Sequence, residues 1–301
     1  MKKLTLALDW TPNVNHIGFF IAKEKGYFEA LGIDLDIIDP SEDNYAVTPA
    51  KKIELGLADF ALCPTESIIS YQTKKQPFDL VAIAAVLKED LSAIAVTKAS
   101  GIHQPKDLDS KTYSSYNARY EDGIVKEMIK NDGGQGLLNI TYPEKLGIWE
   151  AVLKGNADAT WVFLNWEGVQ ASKFSDKLKY FKMKDYGIPY SYSPVIVGSL
   201  SKSLDQAEYT KAFLKAAKEG FLYCQNNMED AASILSKYVS ASDKNINLIV
   251  ALEMSVSHFG DLENWGRMDA DVISKFMMWI KDKKLEHTDL PASEMYTNKF
   301  L

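Results

Sequence analysis

The chain has 301 residues, of which 46% are hydrophobic and 25% charged, a size that allows two domains and a composition typical of globular proteins. Its formal net charge of -7 gives no general support for nucleic-acid binding. No run approaches the roughly 20 apolar residues of a membrane span, so we expect no direct membrane insertion. Two distant cysteines, Cys63 and Cys224, do not form a disulfide scaffold, and Cys224 is expected in the core.

The N-terminal residues predict a βαβ unit. Residues 4–8 form a short apolar, β-prone run, and the turn formers of 9–13 interrupt it. An amphipathic helix is expected over 15–28, with Gly26 near its end, and residues 32–38 alternate like a second strand.

The turn after the first strand is the first candidate site. In open α/β sheets, ligands bind beyond the carboxyl ends of strands. The polar and aromatic residues in that position are Asp9, Trp10, Asn13, Asn15 and His16. Taken alone, Trp10 is more often a packing aromatic, but packing does not readily explain the whole group.

The next segment predicts further alternation of helices and strands. We expect helices over 49–57 and 67–72 and strands over 58–62, 80–87 and 91–96. Glu66 stands at the start of the second helix, where a negative charge is favourable for electrostatic reasons alone. Equally, it is a candidate ligand-binding carboxylate at the end of a strand.

The second half of the chain continues as an α/β segment and then becomes helical. We expect strands over 112–116, 139–142, 158–163, 179–183 and 195–197, and helices over 121–129, 149–153, 205–226, 228–238, 242–254 and 269–283. If the chain crosses twice between lobes, near Asp90 and near Ser193, we expect one discontinuous lobe of residues 1–90 plus 193–301 and another of residues 91–192.

Aromatic and polar residues cluster at several predicted strand ends. Aromatic faces suit a flat ring, and a carboxylate pairs with an amine or a protonated ring nitrogen. Arg119 is also a candidate clamp for an anion, although a surface arginine beside acidic residues is common. Trp161 fits the core as well as a site. The candidates are Tyr116, Asn117, Arg119, Trp161, Asn165, Trp166, Glu167 and Tyr190.

Sequence motifs of common catalytic sites are absent. The sequence has no Gly-x-Gly-x-x-Gly after a strand, no phosphate-binding loop motif and no Gly-x-Ser-x-Gly. Its four histidines are scattered without metal-ligand spacing. These observations favour binding over catalysis, and they predict neither a metal site nor catalytic residues.

Three stretches resemble a known family. They are residues 8–13 with His16 and 22–28, residues 165–168, and residues 264–268 with 296–298. These stretches look like the thiamine-pyrimidine branch of type 2 periplasmic-binding-protein folds. That branch contains formylaminopyrimidine-binding proteins of ABC transporters and the suicide enzyme hydroxymethylpyrimidine phosphate synthase. The resemblance implies an α/β fold of two lobes with a ligand cleft between them.

The sequence departs from the synthase at the positions of its chemistry. The resemblance implies a lysine that binds pyridoxal phosphate and a histidine consumed as substrate, and these positions are Cys63 and Ser67 here. The synthase's cysteine run corresponds to 191–195, and its glycine-rich phosphate loop to 115–119. Schiff-base chemistry requires an amine. We therefore expect no pyridoxal phosphate and no other cofactor.

The leading hypothesis is a binding component of an ABC importer, with an aminopyrimidine-like ligand and an ABC permease as partners. The alternatives are a soluble enzyme of thiamine pyrimidine biosynthesis or salvage, and a cytosolic ligand sensor. A removed leader would indicate a periplasmic or lipid-anchored extracytoplasmic protein, whereas Met1 as the natural start would indicate a cytoplasmic one. The sequence is compatible with a phosphorylated or an unphosphorylated ligand.

Overall fold

A computed structural model describes residues 1–144, 147–174 and 176–301. Its strands are β1 Lys2–Ala7, β2 Ile33–Ile38, β3 Phe60–Cys63, β4 Leu80–Ala85, β5 Ser92–Thr97, β6 Lys111–Ser114, β7 Leu138–Thr141, β8 Ala159–Phe163, β9 Leu178–Lys182 and β10 Val195–Ser199. Its helices are α1 Ile17–Glu24, α2 Tyr27–Ala30, α3 Pro49–Glu54, α4 Glu66–Gln72, α5 Glu121–Asn131, α6 Ile148–Leu153, α7 Glu167–Gln170, α8 Leu200–Asp205, α9 Ala207–Asn226, α10 Met228–Leu235, α11 Leu248–Ser255, α12 Ala270–Asp282 and α13 Ala292–Met295.

One compact unit, called unit 1 here, comprises Met1–Asp90, Ser191–Ser274 and Asp289–Leu301. Its sheet has the order β2-β1-β3-β10-β4. Strand β1 is parallel to β2 and β3, and β10 is antiparallel to β3 and β4. The predicted βαβ unit is therefore present, with α1 connecting two parallel neighbours. Gly26 lies after α1 with a left-handed φ of 72°, which a glycine adopts without strain.

Helix α9 covers one face of this sheet. The Phe213 ring stacks on Phe60 with centroids 4.3 Å apart and on Phe28 at 5.7 Å. Gly220 lets α9 approach α1 closely, because a Cβ atom there would lie 1.9 Å from the backbone oxygen of Gly18. Cys224 on the same helix is fully buried, as the sequence predicted.

The other compact unit, unit 2, comprises Leu91–Tyr190 and Lys275–Thr288. Its sheet has the order β7-β6-β8-β5-β9, with β6 parallel to β7 and β8 and with β5 antiparallel to β8 and β9. Each sheet thus contains three neighbouring parallel strands followed by one antiparallel strand. In both units, the parallel strands direct successive loops to one edge.

Several details differ from the sequence-based expectation, among them the helix predicted over 15–28, which is divided at Gly26 into α1 and α2. Residues Lys275–Thr288 group with unit 2, whereas we expected them with the two ends of the chain; Lys283 there pairs with Glu127 of α5 at 3.0 Å. The domain boundaries at 90/91 and 192/193 remain a prediction. The helix predicted over 242–254 begins only at Leu248, because Asn247 caps it by accepting the Val250 N–H at 3.3 Å.

Across the part of the chain that the structure describes, no helix is both long enough and apolar enough to span a bilayer.

Candidate ligand-binding site

In unit 1, the carboxyl ends of β1 and β3 lie at the same sheet edge, because the two strands are parallel neighbours. Asp9 and Trp10 follow β1, and Glu66 follows β3 as the first residue of α4. Asp9 and Glu66 are both near enough to contribute to the electrostatics of the Cys63 thiol at the end of β3. This edge therefore combines two predicted carboxylates with one predicted aromatic residue.

His16 orients Asp9. The Nε2 atom of His16 lies 2.8 Å from Oδ1 of Asp9, and Nδ1 accepts the backbone N–H of Asn13 at 3.2 Å. Because Nδ1 accepts a hydrogen bond, the ring hydrogen of the neutral imidazole is on Nε2 and is donated to Asp9. His16 is fully buried, whereas the Asp9 side chain is 24% exposed. Within the described residues, this is the one hydrogen bond that the Asp9 carboxylate accepts.

Asn13 shapes the loop between Asp9 and His16. Its side-chain oxygen accepts the N–H of Asn15 at 2.9 Å, and its amide nitrogen donates to the backbone oxygen of Thr11 at 3.0 Å. Both ends of this amide are therefore engaged within the loop. Asn13 supports the position of Asp9 through backbone geometry, in a turn whose residues 11–16 are buried.

Trp10 packs against Tyr45, a residue that sequence reasoning missed. Their ring centroids are 5.2 Å apart with an interplanar angle of 51°. Tyr45 follows β2, the parallel neighbour of β1 on its other side, and has a φ of 60°. Burial raises the pKa of its phenol, so the ring is neutral. The available signal was the turn composition of residues 39–45, which directly follow a predicted strand.

Around Cys63, the unit 1 edge has the properties of a buried, unreactive region. Burial raises the pKa of the Cys63 thiol, so it remains protonated and a poor nucleophile. Glu66 is 5% exposed at the start of α4. Thr65 donates its hydroxyl to the backbone oxygen of Tyr192 at 2.6 Å, which ties this turn to the segment before β10.

In unit 2, the carboxyl ends of the parallel neighbours β6 and β8 also share an edge. Residues 115–120 follow β6, and residues 164–167 follow β8. The predicted residues Tyr116, Asn117 and Arg119 are in the first loop. In the second, Asn165, Trp166 and Glu167 are all buried, with 0%, 2% and 7% of their surface exposed.

Glu167 is bonded to the strand that precedes it. Its Oε2 atom accepts the backbone N–H of Phe163 at 2.9 Å, and Glu167 is also the first residue of α7. One carboxylate oxygen is therefore engaged with the end of β8. This hydrogen bond orients the Glu167 side chain. Ligand binding by Glu167 remains a prediction.

Arg119 was predicted as a clamp for an anion, but its positive charge is already engaged in an ion pair within the chain. Its guanidinium lies 2.7 Å from Oε2 of Glu286 and over the Tyr120 ring at 5.0 Å. Burial would raise the pKa of Glu286. Hydrogen bonds from Tyr120, Thr288 and His287, with the Arg119 charge, outweigh burial and lower this pKa to about 2. Glu286 therefore connects residues Lys275–Thr288 to the loop after β6.

Three aromatic residues of unit 2 form a row. Trp161 on β8 packs edge-on against Tyr190 at 5.3 Å, and Tyr190 packs edge-on against Phe276 at 5.4 Å. Trp161 is 8% exposed, so most of its ring is in the core. The structure brings Trp161 and Tyr190 together, whereas the sequence placed them 29 residues apart in separate segments.

Among residues 1–144, 147–174 and 176–301, no group of three or more His, Cys, Asp or Glu side chains is arranged to bind a metal ion.

The two α/β units have the fold of periplasmic binding proteins. The structure is similar to that of the CA3427 gene product of Candida albicans, which is described as having the generic periplasmic binding protein fold. The TM-score is 0.73 at 14% identity, over 99% of this chain and 97% of that chain.

The NMT1/THI5-like family model matches residues 13–231, and the chain belongs to this family. The formylaminopyrimidine-binding protein of Halalkalibacterium halodurans is 25% identical over 93% of this chain and 85% of its own length. The 4-amino-5-hydroxymethyl-2-methylpyrimidine phosphate synthase of Legionella pneumophila is 22% identical over 100% of this chain and 92% of its own length.

Proposed function

We propose that this protein binds a small planar heterocycle, a thiamine-related aminopyrimidine, as the substrate-binding component of an ABC importer. The family membership and the relative named for formylaminopyrimidine binding support this ligand class. An ABC permease is the proposed protein partner, and this role implies a location outside the cytoplasmic membrane. The departures of Cys63 and Ser67 from the synthase pattern favour binding over the synthase reaction.

The arrangement of Asp9 and Trp10 carries the proposal. His16 occupies Oδ1 of Asp9, which leaves Oδ2 to accept a hydrogen bond from an exocyclic amine. A protonated ring nitrogen next to that amine would add a charge-assisted bond. Trp10, the next residue along the chain, offers an indole face of the kind on which a flat ring stacks, with Tyr45 supporting it.

The other predicted residues have supporting parts in the proposal. Glu66 contributes a second carboxylate in unit 1. In unit 2, the proposed aromatic and polar contacts are Tyr116, Asn117, Trp161, Asn165, Trp166, Glu167 and Tyr190. Arg119 acts through its ion pair with Glu286, which stabilises the loop that carries Tyr116 and Asn117.

Calorimetric titration with two matched ligands tests the proposal. One is a 4-aminopyrimidine, and the other is the same ring with hydrogen in place of the exocyclic amine. Loss of one hydrogen bond to a charged group should weaken binding by about ten- to a hundredfold. Equal affinity for the two rings, or heat from neither, would contradict the proposed site. Fractionation of cells that express the natural gene tests the location.

A further inference from the structure

Tyr45 lies in a turn after β2 that is held in place at several points. The backbone N–H of Tyr45 donates to the backbone oxygen of Pro40 at 2.9 Å. The next N–H, that of Ala46, donates to the backbone oxygen of Asp43 at 3.0 Å. The Asp43 carboxylate in turn pairs with the buried Lys52 of α3 at 2.9 Å. Contacts within unit 1 therefore fix the position of Tyr45.

The backbone of this turn is left-handed at two successive residues. Asn44 has a φ of 52° and Tyr45 a φ of 60°. Asparagine enters this region readily, whereas a residue with a bulky side chain does so only at a cost in conformational energy. Such an outlier persists where the surrounding structure enforces it, and outliers of this kind concentrate at functional sites. The strain at Tyr45 therefore points to a role for its ring.

The Tyr45 side chain engages the loop after β1. Its ring packs on the Trp10 indole with centroids 5.2 Å apart and an angle of 51° between the planes. Burial raises the pKa of its phenol, and a hydrogen bond with the Thr11 backbone opposes this effect. The side chain thus contacts two consecutive residues of the loop, and the first of them is the aromatic residue of the proposed ligand site.

An indole that is held in one orientation before the ligand arrives lowers the cost of binding. A side chain that rotates in the unbound protein loses conformational entropy when a flat ring stacks on it, whereas a side chain already packed on a neighbour loses less. The adjacent Asp9 is oriented in a similar way, through its 2.8 Å bond with His16. Asp9 and Trp10, which carry the proposed function, therefore each have a partner that orients them.

We propose that Tyr45 is a positioning residue that holds the Trp10 indole in the orientation required to stack on the ligand. This inference rests on the proposed function for the ligand class. It involves Tyr45, Trp10 and Thr11 alone, all of which are in unit 1. The effect of Tyr45 on Trp10 can also be measured without a ligand. Failure of the inference and failure of the proposed function are therefore distinguishable.

Calorimetric titration with 4-aminopyrimidine measures the effect on binding. Tyr45→Ala should weaken binding by about three- to tenfold, because the indole loses its packing partner. Tyr45→Phe keeps the ring and should bind within about twofold of the parent. In the Trp10→Leu background, Tyr45→Ala should cause no further loss, since a positioning residue acts through Trp10. Tyr71→Ala is the control, because Tyr71 is a half-buried tyrosine of unit 1 that packs on Phe78, and this variant should melt lower and bind normally.

A glycine at position 45 separates the effect of the ring from that of the backbone. Glycine adopts a φ of 60° without strain, so Tyr45→Gly should melt higher than Tyr45→Ala although both variants lack the ring. Both should bind equally weakly, because affinity follows the contact with Trp10. A purely structural role of Tyr45 would instead make the affinity follow the melting temperature, and that result would overturn the inference.

Fluorine NMR of protein labelled with fluorotryptophan provides the measurement without a ligand, and Trp10→Leu identifies the Trp10 resonance. Tyr45→Ala should increase the motion of this indole, measured by fluorine relaxation, whereas Tyr71→Ala should leave it unchanged. The inference is overturned if Tyr45→Ala binds as tightly as the parent, or if it weakens binding equally with and without Trp10. If the parent binds no aminopyrimidine, the proposed function fails, and unchanged Trp10 relaxation in Tyr45→Ala would overturn the role of Tyr45 as well.

Discussion

In unit 1, Asp9 follows β1 and accepts one hydrogen bond, from the His16 ring at 2.8 Å. In unit 2, Glu121 follows the loop after β6 and accepts three, from Tyr113, Tyr116 and Ala118. Both carboxylates are at the carboxyl edge of three parallel strands. The difference shows that an acidic residue after a strand can accept several hydrogen bonds from its own loop or only one, and we propose that the less engaged carboxylate, Asp9, is the one that binds a ligand.

The largest expected effect is on the stability contributed by Glu121. Glu121→Ala leaves three donors without their acceptor, which should lower the free energy of unfolding by at least about 3 kcal/mol. Asp9→Ala removes one bond at a side chain that is 24% exposed, and should cost only about 1 kcal/mol. Urea denaturation of both variants measures this. Equal losses would remove the distinction between the two edges.

The acid sensitivity of Glu286 extends the comparison to a second carboxylate of unit 2. Its pKa is lowered to about 2 in the folded protein, below the roughly 4.3 of an unfolded glutamate. The ionised Glu286 carboxylate therefore stabilises the folded protein by about 2–3 kcal/mol above about pH 5. This contribution to the free energy of unfolding is lost as the pH falls towards 2.

Denaturation curves across that pH range, for the parent and Glu286→Gln, check this prediction. The variant should be less stable at pH 7, and the two should converge near pH 2. Glu150→Gln is the control, because Glu150 forms an exposed pair with Lys154 and should change stability by at most about 0.5 kcal/mol. A constant difference at all pH values would show that Glu286 acts through packing.

On the ligand side of the comparison, Asp9→Asn should weaken aminopyrimidine binding by about ten- to a hundredfold, or roughly 1.5–3 kcal/mol. The asparagine oxygen still accepts the His16 hydrogen bond, so the melting temperature should change little. Asp59→Asn is the matched control at the start of β3. Asp59 accepts the Thr5 N–H at 2.8 Å and pairs with Lys202, so this variant should melt lower and bind normally.

A smaller effect is expected at Trp10. Trp10→Leu keeps an apolar side chain and removes the stacking face, which should cost about 0.5–1.5 kcal/mol of binding free energy. Trp149→Leu is the control, because Trp149 packs against the buried cluster that includes Val152 and Leu178. Calorimetry should show weaker binding only for Trp10→Leu. A loss confined to the Trp149 variant would indicate that the unit 1 edge is not the binding surface.

The residues of the first turn were predictable because their interactions are local. Asp9 and His16 are seven residues apart within one βαβ unit, and alternation with Gly26 already predicts β1, α1 and β2. The role of Glu121 was not predictable, since it depends on the backbone path through Asn117. The pairing of Arg119 with Glu286 joins residues 167 positions apart, which no local pattern reports.

The most direct test of the account is a crystal structure of the protein with an aminopyrimidine bound. The account predicts that the exocyclic amine lies about 2.7–3.2 Å from Oδ2 of Asp9. It also predicts that the ring stacks on Trp10 and that Glu121 keeps its bonds to Tyr116 and Ala118. A ligand bound away from Asp9, or a Glu121 carboxylate turned from its loop towards the ligand, would contradict it.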